Sequence, residues 1–182
     1  MYWGKDVGFR VVEKSDLEVL RKIRNDPTTW IFLTDTTPIN EAMQERWFQK
    51  ISLSSDIAYY SIFKVKEEFP VQFAGDVIGI IRTDCFDPIN RSIRVGVDIA
   101  PGERGKGYGT KTYAVLLDWL FRQRNMNRVH LAVLDSNAVG LKLYHNAGFI
   151  EEGRQRAAIW RNGGWHDYIL MSILEDEYRA KR

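Results

Sequence analysis

Apolar side chains alternate with polar or small ones along Ser92–Ala100, where every second residue from Ile93 to Ile99 is apolar. A period of two places successive side chains on opposite faces, so this segment is predicted to be a β-strand with one buried face. Two more strands are expected on either side of Arg161–Gly164, because Asn-Gly is a strong signal for a tight hairpin. Further runs bounded by turn residues predict strands at residues 8–13, 57–66, 76–86 and 128–134.

Between these strands the apolar residues follow the helical period. Ser15 and Glu18 form the S-x-x-E pattern of a capping box, which predicts that a helix begins there. Asn40 is predicted to open a second helix, residues 111–124 form a third with a broad apolar face, and residues 137–147 form a fourth. Strands come first as a meander, and helices are then inserted between later strands. This order predicts an α/β or α+β sheet with helices on its faces.

The chain is predicted to be a single domain over residues 1–182, since it contains no internal repeat, low-complexity tract or linker rich in Pro, Gly or Ser. Its hydrophobic content of 45% is sufficient for a sizeable core. The 26 Lys and Arg residues nearly balance the 24 Asp and Glu residues, and a net charge of +2 argues against a dedicated nucleic-acid binder.

The single cysteine, Cys85, has no partner for an internal disulfide and is expected to be a small buried side chain in a reduced, cytoplasmic protein. The N-terminus has no signal-peptide pattern, and no run approaches the ~18 apolar residues of a membrane span, so no membrane association is expected. The histidines lie far apart in the sequence, so no metal site is expected.

The segment Pro101–Thr110, PGERGKGYGT, places four glycines and three charged residues between a strand and a helix. Backbone N–H groups in such a turn can approach an anion closely and the helix start attracts negative charge, so phosphate or pyrophosphate is a suitable ligand. Glycine-rich turns also occur without any ligand. Two nucleotide loops are excluded: Thr110 stands where the dinucleotide fingerprint requires its third glycine, and Tyr108 stands where the Walker pattern requires lysine.

A second motif follows the next predicted strand, where Asn137 opens the segment NAVGLKLYHNAGF. The two motifs, in this order and at this separation, resemble those of the GNAT superfamily of N-acetyltransferases. With RNDP (Arg24–Pro27) and the C-terminal RNGGWHDY segment, the resemblance covers nearly the whole chain. It is closest to the branch of ribosomal-protein N-terminal and spermidine acetyltransferases. It implies one GNAT-like domain with a mixed, mostly antiparallel sheet of about six to seven strands, splayed at the fourth and fifth strands and flanked by about four helices.

The resemblance implies acetyl-CoA as the co-substrate and no metal, with residues 8–100 lining the acceptor side and residues 101–174 binding acetyl-CoA. The pyrophosphate is expected at the glycine turn and the pantetheine arm along the fourth strand. Tyr144 matches the family tyrosine near the CoA sulfur and is the one catalytic residue implied, as the donor to the departing thiolate. Asn137 matches a position beside the pantetheine and is equally suited to be a helix N-cap. The implied cofactor-binding residues are Val97, Ile99, Arg104, Gly105, Lys106, Gly107, Tyr108, Gly109, Thr110, Asn137 and Tyr144.

The implied reaction is direct attack of a primary amine on the acetyl thioester. A lysine-like amine has a pKa near ~10.4, so only about a thousandth is nucleophilic at neutral pH and the site must help to remove a proton. Many relatives carry a glutamate where this sequence has Arg94, so no general base is assigned. Asp98 and Glu103 are expected to be solvated or turn-capping carboxylates.

A protein N-terminus or a small-molecule amine is the favoured acceptor, with an amino sugar close behind. A polyamine is a further alternative, which would require an acidic pocket. A non-catalytic acyl-CoA-binding regulatory domain is the alternative from another class. The charged loop Lys66–Gly75 is either a cover over the acceptor site or a plain surface insertion. Pairing of the last hairpin between subunits leaves a homodimer open.

Overall fold

A mixed sheet of eight strands forms the centre of the protein, in the order β1-β2-β3-β4-β5-β6-β8-β7. The computed structural model describes residues 1–54, 57–65 and 76–181, and the predicted loop Lys66–Gly75 lies outside these described residues. Neighbouring strands pair antiparallel except β5 and β6, which are parallel, so the prediction of a mixed, mostly antiparallel sheet is confirmed. The strands are β1 (Tyr2–Trp3), β2 (Val7–Val11), β3 (Ala58–Lys64), β4 (Val77–Asp87), β5 (Ser92–Ile99), β6 (Arg128–Leu134), β7 (Ile150–Arg161) and β8 (Gly164–Leu174).

Helices cover both faces of this sheet. A π-helical segment, Trp119–Gln123, continues the fourth helix, and single 3-10 turns occur at Lys14–Asp16 and Pro101–Glu103. The α-helices are α1 (Leu17–Asn25), α2 (Pro27–Trp30), α3 (Glu41–Ser52), α4 (Tyr108–Asp118), α5 (Ala138–Ala147) and α6 (Glu175–Ala180).

The sheet and helix counts exceed the predicted six to seven strands and four helices. The additional strand is β1, whose two residues pair with Gly8 and Phe9 of β2. The additional helices are α2 and α6, of four and six residues. Elements this short contain too few residues to display a hydrophobic period, which is why the pattern did not predict them.

Two apolar clusters hold the layers together. The larger one packs α4 and α5 against one face of the sheet and contains Ile93 and Val95 of β5. The smaller one packs α1 and α3 against the other face and includes Ile80 of β4. Because Asp98 is paired directly opposite Ile80, the even-numbered residues of β5 face the α1 side of the sheet. We call this side of β4 and β5 the acceptor face, after the acceptor side that the family resemblance implies for residues 8–100.

The first helix begins differently from the prediction. The capping group is the carboxylate of Asp16, which accepts the N–H of Glu13 at 3.0 Å and initiates a 3-10 turn before α1. Asp16 is buried and also accepts hydrogen bonds from Arg10 and Ser61. The Ser15–Glu18 capping box was therefore wrong, because a long-range buried network determines where this helix starts.

Two other local predictions are confirmed. The Asn40 side chain accepts the N–H of Met43 at 2.9 Å and caps α3. Asn162 and Gly163 both have positive φ, 49° and 79°, which is the backbone of the tight hairpin turn predicted between β7 and β8.

Cys85 is exposed, so the prediction of a buried cysteine is wrong. Its φ is 52°, and the β4–β5 register shifts between Asp84 and Asp87. The irregular backbone at this end of β4 places the Cys85 side chain at the surface, although its sequence neighbours are largely apolar.

Candidate functional site

The parallel strands β5 and β6 pair only over their first three residues, Ser92–Arg94 with Arg128–His130. Both strands continue beyond this point, to Ile99 and to Leu134, without pairing with each other. The remaining backbone N–H and C=O groups on this side of β5 are therefore available to an extended ligand, as at any strand edge. This opening confirms the predicted splay of the sheet. The predicted fourth and fifth strands are β5 and β6 here, because the short β1 was not predicted.

The glycine turn lies at the end of β5 and leads directly into α4. Gly105 and Gly107 have φ values of 75° and 80°, and no heavy atom of the described residues lies within 4 Å of where a Cβ would stand at either residue. Among the described residues no side chain caps α4, and the N–H of Lys111 donates to Gly107 O at 3.1 Å, so the N–H groups of residues 108–110 precede the helical ladder. The turn thus presents open backbone donors at the positive end of a helix, which suits a pyrophosphate.

Gly109 belongs to the same turn but has a different role. A Cβ at Gly109 would approach the Leu143 side chain to 3.2 Å. The absence of a side chain therefore lets the start of α4 pack closely against α5, and this packing fixes the turn relative to the second motif.

The charged residues of the turn are engaged with the protein. The Arg104 guanidinium donates to the carbonyl of Ile99, to the carbonyl and hydroxyl of Thr28 and to the hydroxyl of Thr29. It therefore joins the end of β5 to α2. Lys106 forms a surface ion pair with Glu103 at 3.1 Å.

Glu103 was expected to be a solvated or turn-capping carboxylate. It forms ion pairs with both Lys64, at 2.7 Å, and Lys106. The Lys64 and Lys111 ammonium groups lie 5.5 and 5.8 Å from the ring centroid of Tyr108, so cations surround the first residue of α4.

The remaining residues predicted to bind the cofactor lie on β5 and at the starts of α4 and α5. Val97 and Ile99 are half-buried and pack against the larger cluster. Thr110 is exposed in the first turn of α4. Asn137 is the N-cap of α5, since its side-chain oxygen accepts the N–H of Gly140 at 2.9 Å. The helix-cap interpretation of Asn137 is therefore confirmed, and its contact with a ligand stays a prediction.

Tyr144 lies on α5, half-buried beside the strand opening. Its ring packs edge-on against Tyr113, at 5.5 Å between centroids, and against Phe149 at 6.0 Å. Burial, and after it the charge of Asp98, raises the pKa of Tyr144 to about 12. The hydroxyl therefore keeps its proton at neutral pH and can act as a hydrogen-bond donor.

The acceptor face beside the opening carries a group of charges that the sequence did not assign to the site. Arg94 donates to Asp84 at 2.5 Å, and Arg82 forms an ion pair with the same carboxylate at 3.2 Å. Asp98 is half-buried on the same face, and within the described part of the chain no hydrogen bond or ion pair to its carboxylate is found. Asp98 is thus not the solvated carboxylate that the sequence led us to expect.

A family profile described as an acetyltransferase (GNAT) domain matches residues 6–150 of the chain. The chain belongs to the GNAT acetyltransferase family. Residues 6–150 contain the splayed strands, the glycine turn and Tyr144, so all three features lie within the matched region.

Individual relatives support the same assignment. The uncharacterized N-acetyltransferase p20 of Bacillus licheniformis is 28% identical over 172 residues and is covered to 93%, as is this chain. The putative ribosomal N-acetyltransferase YdaF of Bacillus subtilis (strain 168) is 29% identical over 110 residues, 60% of each protein. The crystal structure of a spermidine N-acetyltransferase from Vibrio cholerae, in complex with CoA and spermine, has a TM-score of 0.84 at 23% identity, over 95% of this chain and 98% of that one.

One contact across the GNAT fold was not visible in the sequence. Arg161, at the end of β7, donates to the backbone carbonyls of Ile31, Leu33 and Thr34 after α2. The Thr34 hydroxyl also contacts the Tyr168 hydroxyl at 3.1 Å. These bonds hold the terminal hairpin against the segment after α2, at the edge of the acceptor face. Their partners are more than 120 residues apart in the chain, so no local motif marks them.

Neither a metal cluster nor a membrane-spanning helix is found in the described part of this GNAT protein. Among residues 1–54, 57–65 and 76–181, no group of three or more His, Cys, Asp or Glu is arranged to hold a metal ion. In the same part of the chain, no helix is long and apolar enough to cross a membrane.

Proposed function

We propose that the protein transfers the acetyl group of acetyl-CoA directly to a primary amine of a protein N-terminus or a small molecule. The observation that carries this proposal is the separation of β5 from β6 beyond Arg94 and His130, directly beside the open glycine turn and Tyr144. The opening has an unpaired strand edge for a pantetheine arm, and the turn has uncapped N–H groups for a pyrophosphate. Residues 101–174 would form the donor side and residues 8–100 most of the acceptor side.

Specific groups are assigned to the donor. The N–H groups of Gly105–Thr110 bind the pyrophosphate, and Lys106 and the cations around Tyr108 add a favourable field. Val97 and Ile99 contribute their backbone edge to the pantetheine, with Asn137 on the opposite side of the opening. In this proposal Arg104 acts by holding the end of β5 on α2 rather than by contacting phosphate, because its guanidinium is already occupied.

The amine must lose a proton before it attacks the thioester carbon. At neutral pH this deprotonation costs a lysine-like amine ~4 to 5 kcal/mol, at ~1.36 kcal/mol per pKa unit. The tetrahedral intermediate then carries an oxyanion, and the free edge of β5 supplies backbone N–H groups that can stabilise it.

Tyr144 is proposed to stabilise the departing thiolate. Its pKa of about 12 lies well above the ~8.5 of an ordinary thiol. Full proton transfer from the phenol to the sulfur would therefore be uphill by several kcal/mol, at ~1.36 kcal/mol per unit. Tyr144 is thus assigned a hydrogen bond to the leaving sulfur, with the final proton coming from solvent.

A polyamine and an amino sugar remain the alternative acceptor classes. A polyamine is favoured by the name of the Vibrio cholerae neighbour, and nothing specific favours an amino sugar. A homodimer and a cytoplasmic location remain predictions from the sequence.

The test measures release of free thiol from acetyl-CoA across a panel of primary amines, next to calorimetric binding of CoA. The proposal expects CoA to bind and at least one amine to be acetylated, as seen by mass spectrometry of the product. If CoA binds tightly and no amine of the panel is acetylated, the non-catalytic acyl-CoA-binding domain becomes the better description.

Tyr144→Phe tests the role of the phenol. We expect kcat to fall ~10-fold or more while the Kd for CoA changes less than twofold, because the hydroxyl acts only as charge develops on sulfur. His145→Phe, the adjacent exposed residue of α5, is the matched control and should leave both quantities unchanged. A Tyr144→Phe enzyme with full kcat would remove the phenol from the mechanism.

A further inference from the structure

The carboxylate of Asp98 is the first of three features that describe the acceptor. It lies on β5 at the strand opening and faces the α1 side. Burial raises its pKa above the ordinary value, and the charges of Arg82, Arg104 and Arg24 oppose this rise. Within the described residues the carboxylate has no hydrogen-bond or ion-pair partner, although it is only half-buried. A ligand cation can therefore reach it.

The second feature is the guanidinium of Arg82, which lies against the backbone of β5. Its Nη2 atom is 3.1 Å and its Cζ atom 3.5 Å from the position that a Cβ would occupy on Gly96. Because Gly96 has no side chain, the guanidinium can lie two residues away from Asp98 along the strand. Arg82 is ion-paired through Nε with Asp84, and Asp84 is shared with Arg94, so that carboxylate neutralises only part of the positive charge.

The third feature is Arg24 of α1. Its Nη2 atom donates to the carbonyl of Asp35 at 2.7 Å, which holds the side chain in place. Its Nη1 atom is buried and has no hydrogen-bond partner within the described residues. A buried guanidinium N–H without an acceptor is costly, and a ligand anion would satisfy it.

The spacing of these groups limits the size of the acceptor. Two residues along a strand correspond to roughly 7 Å, which is the scale of the separation between the Arg82 guanidinium and Asp98. Two charge-assisted hydrogen bonds of about 2.8 Å each take up most of that distance. About 1.4 Å then remains along the strand, roughly one bond length, so only a short spacer between ammonium and anion is compatible, with both hydrogen bonds inclined to the strand axis.

We propose that the acceptor is a small zwitterion of the α-amino acid type, bound with its amine at Asp98 and its carboxylate at Arg82 and Arg24. This assignment rests on the proposed function and names the substrate class of the same site. The amine would lie on the acceptor face at the strand opening, on the same strand whose free edge is assigned to the donor. Asp98 binds the ammonium form of the acceptor, which then releases one proton to solvent before it attacks the thioester, and Arg82 and Arg24 bind the acceptor carboxylate.

The charge balance distinguishes this class from a polyamine. The charges of Arg24, Arg82 and Arg104 act on Asp98; Arg24 is paired with the exposed Asp35 at 3.7 Å, and Arg82 shares the Asp84 carboxylate with Arg94, so four guanidinium groups stand against three carboxylates. A linear polyamine carries two or more ammonium groups and would place a second one in this positive field. A zwitterion meets opposite charge at both ends.

The test compares acceptors that differ only in the carboxylate. Each of the twenty L-α-amino acids is paired with its α-carboxamide, and spermidine is added as the polyamine. Binding to the CoA-saturated protein is measured by calorimetry, and acetylation is measured by thiol release from acetyl-CoA. We expect at least one free acid to bind and react ~10-fold or more better than its amide, and better than spermidine.

Variants connect this preference to the named residues. Arg24→Gln and Arg82→Gln should each reduce the acid-to-amide ratio several-fold toward one, with little effect on the amide itself. Asp98→Asn should weaken both the acid and the amide. Arg21→Gln, on the same helix as Arg24, is the matched control and should leave the ratio unchanged. Calorimetric binding of CoA to each variant serves as the check on folding.

Different results would overturn the zwitterion acceptor and the acetyltransferase activity. Acetylation of amides or spermidine in preference to every amino acid would overturn the zwitterion assignment and leave the transferase intact. Selective binding of an amino acid without acetylation would support the assignment of the site and overturn the enzymatic function. If no amino acid of the panel binds, the assignment is also overturned.

Discussion

Substitution of Gly107 is the sharpest test of the proposed pyrophosphate site, because we expect it to change the free energy of unfolding much less than the affinity for CoA. Its φ is 80°, and a Cβ placed there has no heavy atom within 4 Å in the part of the chain that the structure describes. Replacing it with alanine therefore causes no clash, and only the left-handed backbone is penalised, by about 1–2 kcal/mol. A domain of ordinary stability, about 5–15 kcal/mol, remains folded with such a loss.

Binding should respond far more strongly. A methyl group at Gly107 projects into the space above the turn and keeps a phosphate from approaching the N–H groups there. Each charge-assisted hydrogen bond lost is worth about 1.5–3 kcal/mol, and every ~1.4 kcal/mol is tenfold in affinity. We therefore expect Gly107→Ala to raise the Kd for CoA by roughly 10- to 100-fold. Gly107→Asn should do the same with less backbone strain, since asparagine tolerates positive φ.

The assay is calorimetric titration with CoA, next to inhibition by pantetheine, which lacks the pyrophosphate. Gly102→Ala is the matched control, since Gly102 lies in the same segment with open space around it but without a positive φ. The Gly107 variants should lose affinity for CoA and keep their affinity for pantetheine, and the control should keep both. Unchanged CoA affinity in folded Gly107→Ala, or equal loss of both ligands, would refute the assignment of this turn.

Three further predictions concern the supports of the site. Asp16→Asn should lower the free energy of unfolding by about 2–3 kcal/mol in urea titrations, because it weakens the charged hydrogen bonds from Arg10 and Ser61. Burial raises the pKa of Asp16, but the hydrogen bonds to its carboxylate outweigh burial, and the net pKa is lowered. The stabilisation from Asp16 is therefore present above pH ~3.9 and is lost as the pH falls through the pKa of the folded state. A loss of stability from this residue on raising the pH would contradict this. Gly163→Ala should cost about 1 kcal/mol in the same titrations, since φ is 79° there, and no loss would contradict the hairpin geometry. Arg161→Gln should raise the acceptor KM several-fold in thiol-release assays without changing the Kd for CoA; an unchanged KM would show that its bonds to the segment after α2 do not shape the acceptor site.

The donor side was largely predictable because its determinants are local. The period-two pattern of β5, the four glycines after it and the segment that begins at Asn137 are each continuous in sequence, and each forms the predicted element. The failures involve long-range contacts. Asp16 replaces Ser15 as the capping group because Arg10 and Ser61 converge on it in the fold. No helical propensity or spacing encodes such a convergence.

The acceptor side was not predictable for the same physical reason. Arg24, Arg82 and Asp98 come from a helix and two strands, and each alone looks like an ordinary surface charge in the sequence. Only the β4–β5 register brings Arg82 over Gly96 and next to Asp98.

In the proposed site of this GNAT protein, the donor side and the acceptor side therefore depend on different kinds of interaction. The donor side relies on backbone groups, whose direction is fixed by glycine and by strand separation, and it is insensitive to most side-chain changes. The acceptor side relies on side-chain charges, so a few substitutions on β4, β5 and α1 can reverse its preference. A shared donor motif consequently says little about the acceptor, and the guanidinium groups around Asp98 carry more information about the substrate of this chain than its similarity to enzymes named for polyamines.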